Sequence, residues 1–139
     1  MSKRLILIIT VLLLVYNGAH HFKEYASQPI KNQWDLFVLA LIEVESENDP
    51  FAVGSCNDVG ILQITPIYVK DVNRILGEDR YSLDHRTDIA KSLEMFEIMQ
   101  SHYNPERDIE KAIRLHNPGA GKGYRNKVIA KFNEMICLD

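Results

Sequence analysis

Apolar residues recur every three or four positions along most of the chain, and this spacing predicts helices. Trp34, Phe37 and Leu41 fall on one face of the first such segment, with polar positions between them. Thr65-Pro66 predicts an N-cap followed by a first-turn proline, and Gly77 predicts the end of that second helix. The predicted helices run from Trp34 to Glu45, Pro66 to Ile75, Thr87 to His102, Ile109 to Leu115 and Tyr124 to Met135.

Residues 51–64 break this pattern. Gly54, Asn57-Asp58 and Gly60 are turn formers, so we expect an irregular loop or a small hairpin after the first helix. The rest of the pattern gives little sign of strands. The predicted fold class is therefore mostly α, a compact helical domain with this loop or hairpin, and 139 residues leave little room for a second domain.

The start of the chain has a different pattern. Lys3-Arg4 precedes an uncharged apolar run from Leu5 to Tyr16, and small residues follow that run. This layout is typical of a secretory signal peptide, and the run is shorter than the roughly 20 residues of a membrane-spanning helix. We expect residues 1–21 to be a signal peptide or an uncleaved N-terminal anchor, and residues 22–139 to form the folded domain.

Composition narrows the classes of function. The chain has 16 basic and 19 acidic residues, a formal net charge of −3. This acidic balance argues against nucleic acid as a partner and against a basic helix on a membrane surface. The five histidines and two cysteines show no zinc-type spacing, so we expect no metal and no cofactor. After export, Cys56 and Cys137 either form one disulfide or remain two free thiols.

Glu45 is the most informative polar residue. On a helix it falls about 20° from Trp34, in the middle of the apolar face, whereas Glu43 and Glu47 fall near the opposite side. An ionised carboxylate is costly to bury, and a carboxyl group held protonated near neutral pH can act as a general acid. The alternative is a glutamate at the helix end that reaches solvent just past the core.

The residues that follow Glu45 resemble a known catalytic segment. Glu45-Ser46 is followed by Asp49-Pro50-Phe51-Ala52-Val53-Gly54 and then by Gly60-Ile61-Leu62-Gln63. A third motif, His116-Asn117-Pro118-Gly119, comes before Tyr124 at the start of the last predicted helix. Each motif is weak by itself. Their order and spacing together resemble the Slt-type lytic transglycosylases, relatives of goose-type lysozyme.

This resemblance extends over about residues 34–133. It implies an α+β, lysozyme-like, mostly helical fold and cleavage of the MurNAc–GlcNAc β-1,4 bond of peptidoglycan. In that family a glutamate, Glu45 here, protonates the glycosidic oxygen and then takes the proton of the C6 hydroxyl of the same sugar. The product has a 1,6-anhydro end, and the internal hydroxyl removes the need for a second carboxylate.

The resemblance also implies a set of substrate-binding residues. Gln63 offers one acceptor and two donors, which suit an acetamido group, or it is a solvated side chain before a helix cap. The Ser46 hydroxyl binds the sugar or Glu45, or it serves the helix backbone. Asn117 contacts the ligand or Glu45, or it is a turn residue before Pro118-Gly119. Gly60 either allows the glycan to approach the backbone closely or is a plain turn glycine. The implied set is Ser46, Gln63, His116, Asn117 and Tyr124.

Four positions depart from the family pattern. His116 stands where tyrosine is usual, and Asn48 where an aromatic residue is usual. Gly54 stands where serine is usual, and Asp58 where a small residue is usual. A charged His116 beside Glu45 would favour the ionised glutamate and weaken it as an acid. Asp58 could instead activate water, so a hydrolytic muramidase is one alternative function. A catalytically weak, glycan-binding scaffold protein of the same fold is another.

The expected partner is the glycan strand of peptidoglycan, met in the bacterial periplasm or cell envelope. A short chain suits a local task, such as opening the wall for an envelope-spanning secretion or conjugation apparatus. We expect a monomer.

Overall fold

The computed structural model describes residues 32–137. The expected signal peptide or anchor at residues 1–21 lies outside this range. Within it the chain is mostly helical, which confirms the predicted fold class. The helices are α1 (Gln33–Ser46), α2 (Pro66–Leu76), α3 (Ile89–Tyr103), α4 (Ile109–His116) and α5 (Lys122–Ile136), with a 3-10 helix, Leu83–Thr87, before α3.

Local capping explains where the helices begin and end. The Asn32 side chain accepts hydrogen bonds from the backbone N–H groups of Trp34 and Asp35 and so caps α1. Thr65 caps α2 ahead of Pro66, and Gly77 ends it with a left-handed backbone, as predicted. The third helix begins two residues later than predicted because Thr87 belongs to the 3-10 helix, which the apolar spacing did not predict.

Helix α1 runs through the centre of the hydrophobic core. Phe37 is fully buried, and its ring packs edge-on against Phe132 of α5, at 6.2 Å between ring centroids. Trp34 stacks on Phe96 of α3 at 6.1 Å. The apolar face of α1 is therefore covered on two sides, and this packing fixes the position of the last turn of α1, which carries Glu45.

The segment between α1 and α2 is a small, irregular hairpin. Val59 forms isolated antiparallel bridges with Val53 and with Ile64, so the predicted loop or small hairpin is confirmed. Arg86 is buried in the 3-10 helix. Its Nη1 donates hydrogen bonds to the carbonyl oxygens of Asn57 (2.6 Å) and Ile64 (3.2 Å), and these bonds hold the hairpin against the 3-10 helix.

Gly60 is needed at its position in this hairpin. Its φ is +86°, and an added Cβ would lie 1.9 Å from the carbonyl oxygen of Arg86. Close backbone packing thus requires a glycine here, which agrees with the turn interpretation of this residue.

Two further findings concern the thiols and the membrane-spanning potential of the helices. Cys56 and Cys137 are both exposed and do not form a disulfide. Of the two alternatives that the sequence left open, the structure therefore has two free thiols. None of the helices within residues 32–137 combines the length and apolar character that crossing a membrane requires.

Candidate active site

A groove of about 650 Å³ opens over the C-terminal end of α1. One part of its lining is apolar and comes from α2, α3 and α4: Ile67, Met99, Tyr103 and Leu115. The hairpin and the loop after α4 supply polar residues, among them Ser55, Asp58, Gln63 and Asn117. Sugar rings have an apolar face and polar edges, so a groove with both kinds of lining can accommodate an oligosaccharide.

Glu45 lies at this groove in the last turn of α1, with a side chain only 10% exposed. This burial confirms its expected position on the apolar face. The Tyr124 hydroxyl, at the start of α5, donates a hydrogen bond to Glu45 Oε1. Burial, and then the negative charge of Glu45, raise the pKa of Tyr124 far above its usual value. Tyr124 is therefore protonated and remains a donor to the carboxylate.

His116 approaches the same oxygen from α4. Its Nε2 lies 3.4 Å from Glu45 Oε1, and its side chain is 3% exposed. The ring packs edge-on between Tyr68 and Phe96, at centroid distances of 5.8 and 5.7 Å. Aromatic packing thus fixes the imidazole beside Glu45.

Two buried polar atoms of the groove residues have no partner within residues 32–137. They are His116 Nδ1 and the Tyr68 hydroxyl. Burial also raises the pKa of Tyr68 well above its usual value, so this hydroxyl is neutral. Buried polar atoms without partners are uncommon in folded proteins, and this sets His116 and Tyr68 apart from the purely apolar core beside the groove.

Gln63 lines the groove from the hairpin, with a left-handed backbone at φ +45°. Its amide nitrogen donates to the carbonyl oxygens of Ala52 (3.1 Å) and Gly60 (2.9 Å). Both donors are used by the hairpin, so the side chain is held in place and its oxygen remains as the group that could accept from a ligand.

Ser46 and Asn117 differ in position. The Ser46 hydroxyl lies 3.0 Å from the carbonyl oxygen of Ile61 and 3.3 Å from that of Ile42, and Ser46 is not among the groove-lining residues. These contacts join α1 to the hairpin. They favour the alternative in which the Ser46 hydroxyl bonds to the backbone and not to the sugar or to Glu45. Asn117 is exposed and lines the groove directly after α4, so its contact with a ligand remains a prediction.

Asp58 lies on the hairpin side of the groove. Its Oδ1 accepts a hydrogen bond from the backbone N–H of Cys56 at 2.9 Å. A Cβ added to Gly54 would lie 1.9 Å from Asp58 Oδ2, so the Asp58 carboxylate occupies the space that a side chain at position 54 would take. Gly54 and Asp58 both depart from the family pattern, and the absence of a side chain at Gly54 leaves room for the Asp58 carboxylate.

Sequence reasoning missed several groove residues. Tyr68 and Met99 lie within predicted helices and Tyr103 directly follows one, but the sequence did not identify any of the three as a site residue. Their spacing carries no signal of a ligand, because a helix residue at the edge of the core and one at a groove have the same periodicity. In the part of the chain that the structure describes, no three potential metal ligands cluster together.

Comparison with known proteins gives one match. Residues 22–135 match the family model described as "Transglycosylase SLT domain". Searches of the curated proteins and of the solved structures found no match. The domain indicates, in general terms, a glycan-cleaving activity of the lytic transglycosylase type on peptidoglycan, and hence a context in the cell envelope. Because the match covers most of the chain, this protein belongs to the transglycosylase SLT domain family.

Proposed function

We propose that the protein is a peptidoglycan lytic transglycosylase in which Glu45 is the single acid and base. It would cleave the MurNAc–GlcNAc β-1,4 bond without water and leave 1,6-anhydro-MurNAc ends. The observation that carries this proposal is the buried Glu45 at the groove, with Oε1 held by Tyr124 and faced by His116.

The arrangement leaves the two oxygens of Glu45 in different surroundings. Oε1 accepts from the Tyr124 hydroxyl, whereas no hydrogen bond to Oε2 occurs within residues 32–137. Oε2 is thus the oxygen available to carry the catalytic proton. Fixing Oε1 on one side orients Oε2, and such orientation supports general acid catalysis.

The proposed reaction returns Glu45 to its starting state. Glu45 donates its proton to the glycosidic oxygen as the bond to the anomeric carbon breaks, and GlcNAc leaves with that proton. The C6 hydroxyl of MurNAc attacks the same carbon, and Glu45 takes the hydroxyl proton. Between the two transfers Glu45 is a carboxylate, which the hydrogen bond from Tyr124 stabilises.

Ser46, Gln63, His116 and Asn117 have supporting functions in this proposal. The Gln63 oxygen and the Asn117 side chain, both at the groove, bind the sugars, while His116 helps to orient Glu45. Ser46 contributes by holding the end of α1 against the hairpin, beside Glu45.

Mass spectrometry of muropeptides tests the proposal. Purified peptidoglycan is digested with the wild type and with Glu45→Gln, which keeps the side-chain shape but carries no acid. We expect anhydro ends from the wild type alone. Products that do not depend on Glu45 would contradict the proposal and would favour the scaffold alternative.

A hydrolytic muramidase is the second candidate, because Asp58 lines the same groove as Glu45. A second carboxylate could activate a water molecule for attack on the anomeric carbon. The same digestion distinguishes the two, since hydrolysis leaves reducing ends that are one water heavier. Loss of those ends in Asp58→Asn would assign the water to Asp58.

The cellular setting is part of the proposal. An exported protein acting as a monomer on glycan strands in the periplasm would suit local opening of the wall, for example for a secretion or conjugation apparatus. Fractionation of cells that express the full chain, with detection in the envelope or periplasmic fraction, tests this expectation.

A further inference from the structure

The groove at Glu45 is lined by acidic residues without basic ones to balance them. Its lining contains Glu45, Asp58 and Asp71, and it contains no Lys or Arg. The one lining residue that could become cationic is His116, which lies against Glu45. Stem peptides of peptidoglycan carry carboxylates and, in many cases, amines, so the charge of the groove bears on which strands it accepts.

Asp58 is the carboxylate whose charge is least compensated. Asp71 pairs with Arg74 at 3.0 Å, and both side chains are more than a third exposed. Within residues 32–137, Asp58 forms no ion pair, and its described hydrogen bond comes from the backbone of Cys56. The side chain is fixed in place, since it fills the space beside Gly54. A fixed charge without a counterion acts on a ligand group without first having to break an ion pair.

Two groove-lining residues also carry buried polar atoms without partners. His116 Nδ1 and the Tyr68 hydroxyl are buried, belong to residues that line it, and have no hydrogen-bond partner within the described residues. They are independent of Asp58 in sequence and come from α4 and α2. What the groove presents to a ligand is therefore the uncompensated negative charge of Asp58.

We propose that Asp58 is a specificity residue that makes the groove prefer peptidoglycan strands carrying a free primary ammonium group. Such a group is supplied either by a glucosamine unit that has lost its N-acetyl group or by an amine of the stem peptide. This inference rests on the proposed function, because it concerns the substrate of the same groove.

The test uses three forms of one peptidoglycan preparation. In the first, all amines are acetylated. In the second, only the stem-peptide amines are free, and in the third, only glucosamine amines are free. The value of kcat/KM for release of anhydro ends is measured at low and high salt with the wild type and with Asp58→Asn, which retains an acceptor for the Cys56 N–H. Asp79→Asn is the matched control, since it makes the same charge change at an exposed residue outside the groove.

We expect the wild type to prefer the second or the third form over the first by about five-fold at low salt, and less at high salt. The preferred form identifies the source of the ammonium. Asp58→Asn should bring the ratio close to one, and Asp79→Asn should leave it as in the wild type. Equal rates of the wild type on all three forms, or a preference that survives in Asp58→Asn, would overturn the inference.

Measurements of binding alone test this inference independently of the proposed function. Co-sedimentation of Glu45→Gln and of Glu45→Gln/Asp58→Asn with the three forms needs no turnover. A preference that is lost with Asp58 supports the inference even if the wild type makes no anhydro ends, a result that would count against the proposed function alone. Equal binding to all three forms counts against the inference alone.

Discussion

At the scale of single residues, the central feature is the pair of contacts on Glu45 Oε1. A hydroxyl from α5 donates to this oxygen and an imidazole from α4 faces it. Both contacts hold the carboxyl group from the side of the protein. The other oxygen is then the one that can face a substrate, which is why changes at Tyr124 and His116 should alter catalysis without removing the acid itself.

Tyr124→Phe should lower kcat while the fold persists. The variant keeps the ring but removes the donor to the Glu45 carboxylate, so the ionised intermediate state loses a hydrogen bond. Hydrogen bonds to charged groups contribute about 1.5–3 kcal/mol, which corresponds to a decrease in kcat of roughly 10- to 100-fold. Turnover assays with thermal unfolding as the control measure this, and a wild-type kcat in Tyr124→Phe would contradict it.

At the scale of elements, the hairpin between α1 and α2 positions one side of the groove. Its shape depends on contacts with the 3-10 helix, where Arg86 donates to two hairpin carbonyl groups and presents its own carbonyl oxygen to Gly60. Gln63 and Asp58 are carried by this hairpin, so their placement depends on its packing against the 3-10 helix.

Gly60→Ala should destabilise the protein by roughly 2–4 kcal/mol, because the new methyl group would meet the Arg86 carbonyl oxygen and the backbone φ is +86°. Gly77→Ala is the matched control. It has a similar φ of +71° but nothing within 4 Å of an added Cβ, so only backbone strain of about 1 kcal/mol applies. Urea unfolding of both variants gives the difference, and equal losses would show that the contact with Arg86 is unimportant.

The helices could be predicted from the sequence because their signals are local. Apolar spacing and the caps at Thr65 and Gly77 are contained within one turn or one helix. The 3-10 helix was missed because its five residues are too few for a periodic pattern. The Arg86 contacts were missed as well, since they depend on how two distant segments pack.

At the scale of the whole molecule, the site is assembled from distant parts of the chain. Glu45 and Tyr124 are 79 positions apart, and packing of α1 against α5 brings them together. The sequence identified Glu45 by its position on the apolar face of a helix as well as by the resemblance, whereas it identified Tyr124 only through the resemblance to the family. Tyr68, which the resemblance does not mark, belongs to the site because α2 packs beside His116.

Stability should fall at alkaline pH because two tyrosines of the site are buried. In the folded protein, burial raises the pKa of Tyr68 and of Tyr124 above the usual value. In the unfolded chain both side chains have the usual tyrosine pKa of about 10. The stability that their neutral hydroxyls contribute is fully present below that pH. It is lost as the pH rises above it, because ionisation then favours the unfolded chain.

Tyr68→Phe should weaken this loss and should not destabilise the protein at neutral pH. The Tyr68 hydroxyl has no partner within residues 32–137, so its removal relieves a desolvation cost and could stabilise the fold by up to about 1 kcal/mol. Urea midpoints measured from about pH 8 to about pH 11 test this. A large loss of stability at neutral pH, or an unchanged alkaline slope, would contradict the assignment.

The proposed function requires that an internal hydroxyl, not water, attacks the anomeric carbon after Glu45 protonates the leaving oxygen. The most direct test is digestion of peptidoglycan by the full chain in water labelled with heavy oxygen, followed by mass spectrometry of the new glycan ends. We expect 1,6-anhydro ends that carry no label and that are absent with Glu45→Gln. Reducing ends that carry the label at the anomeric carbon would contradict it and identify a hydrolase.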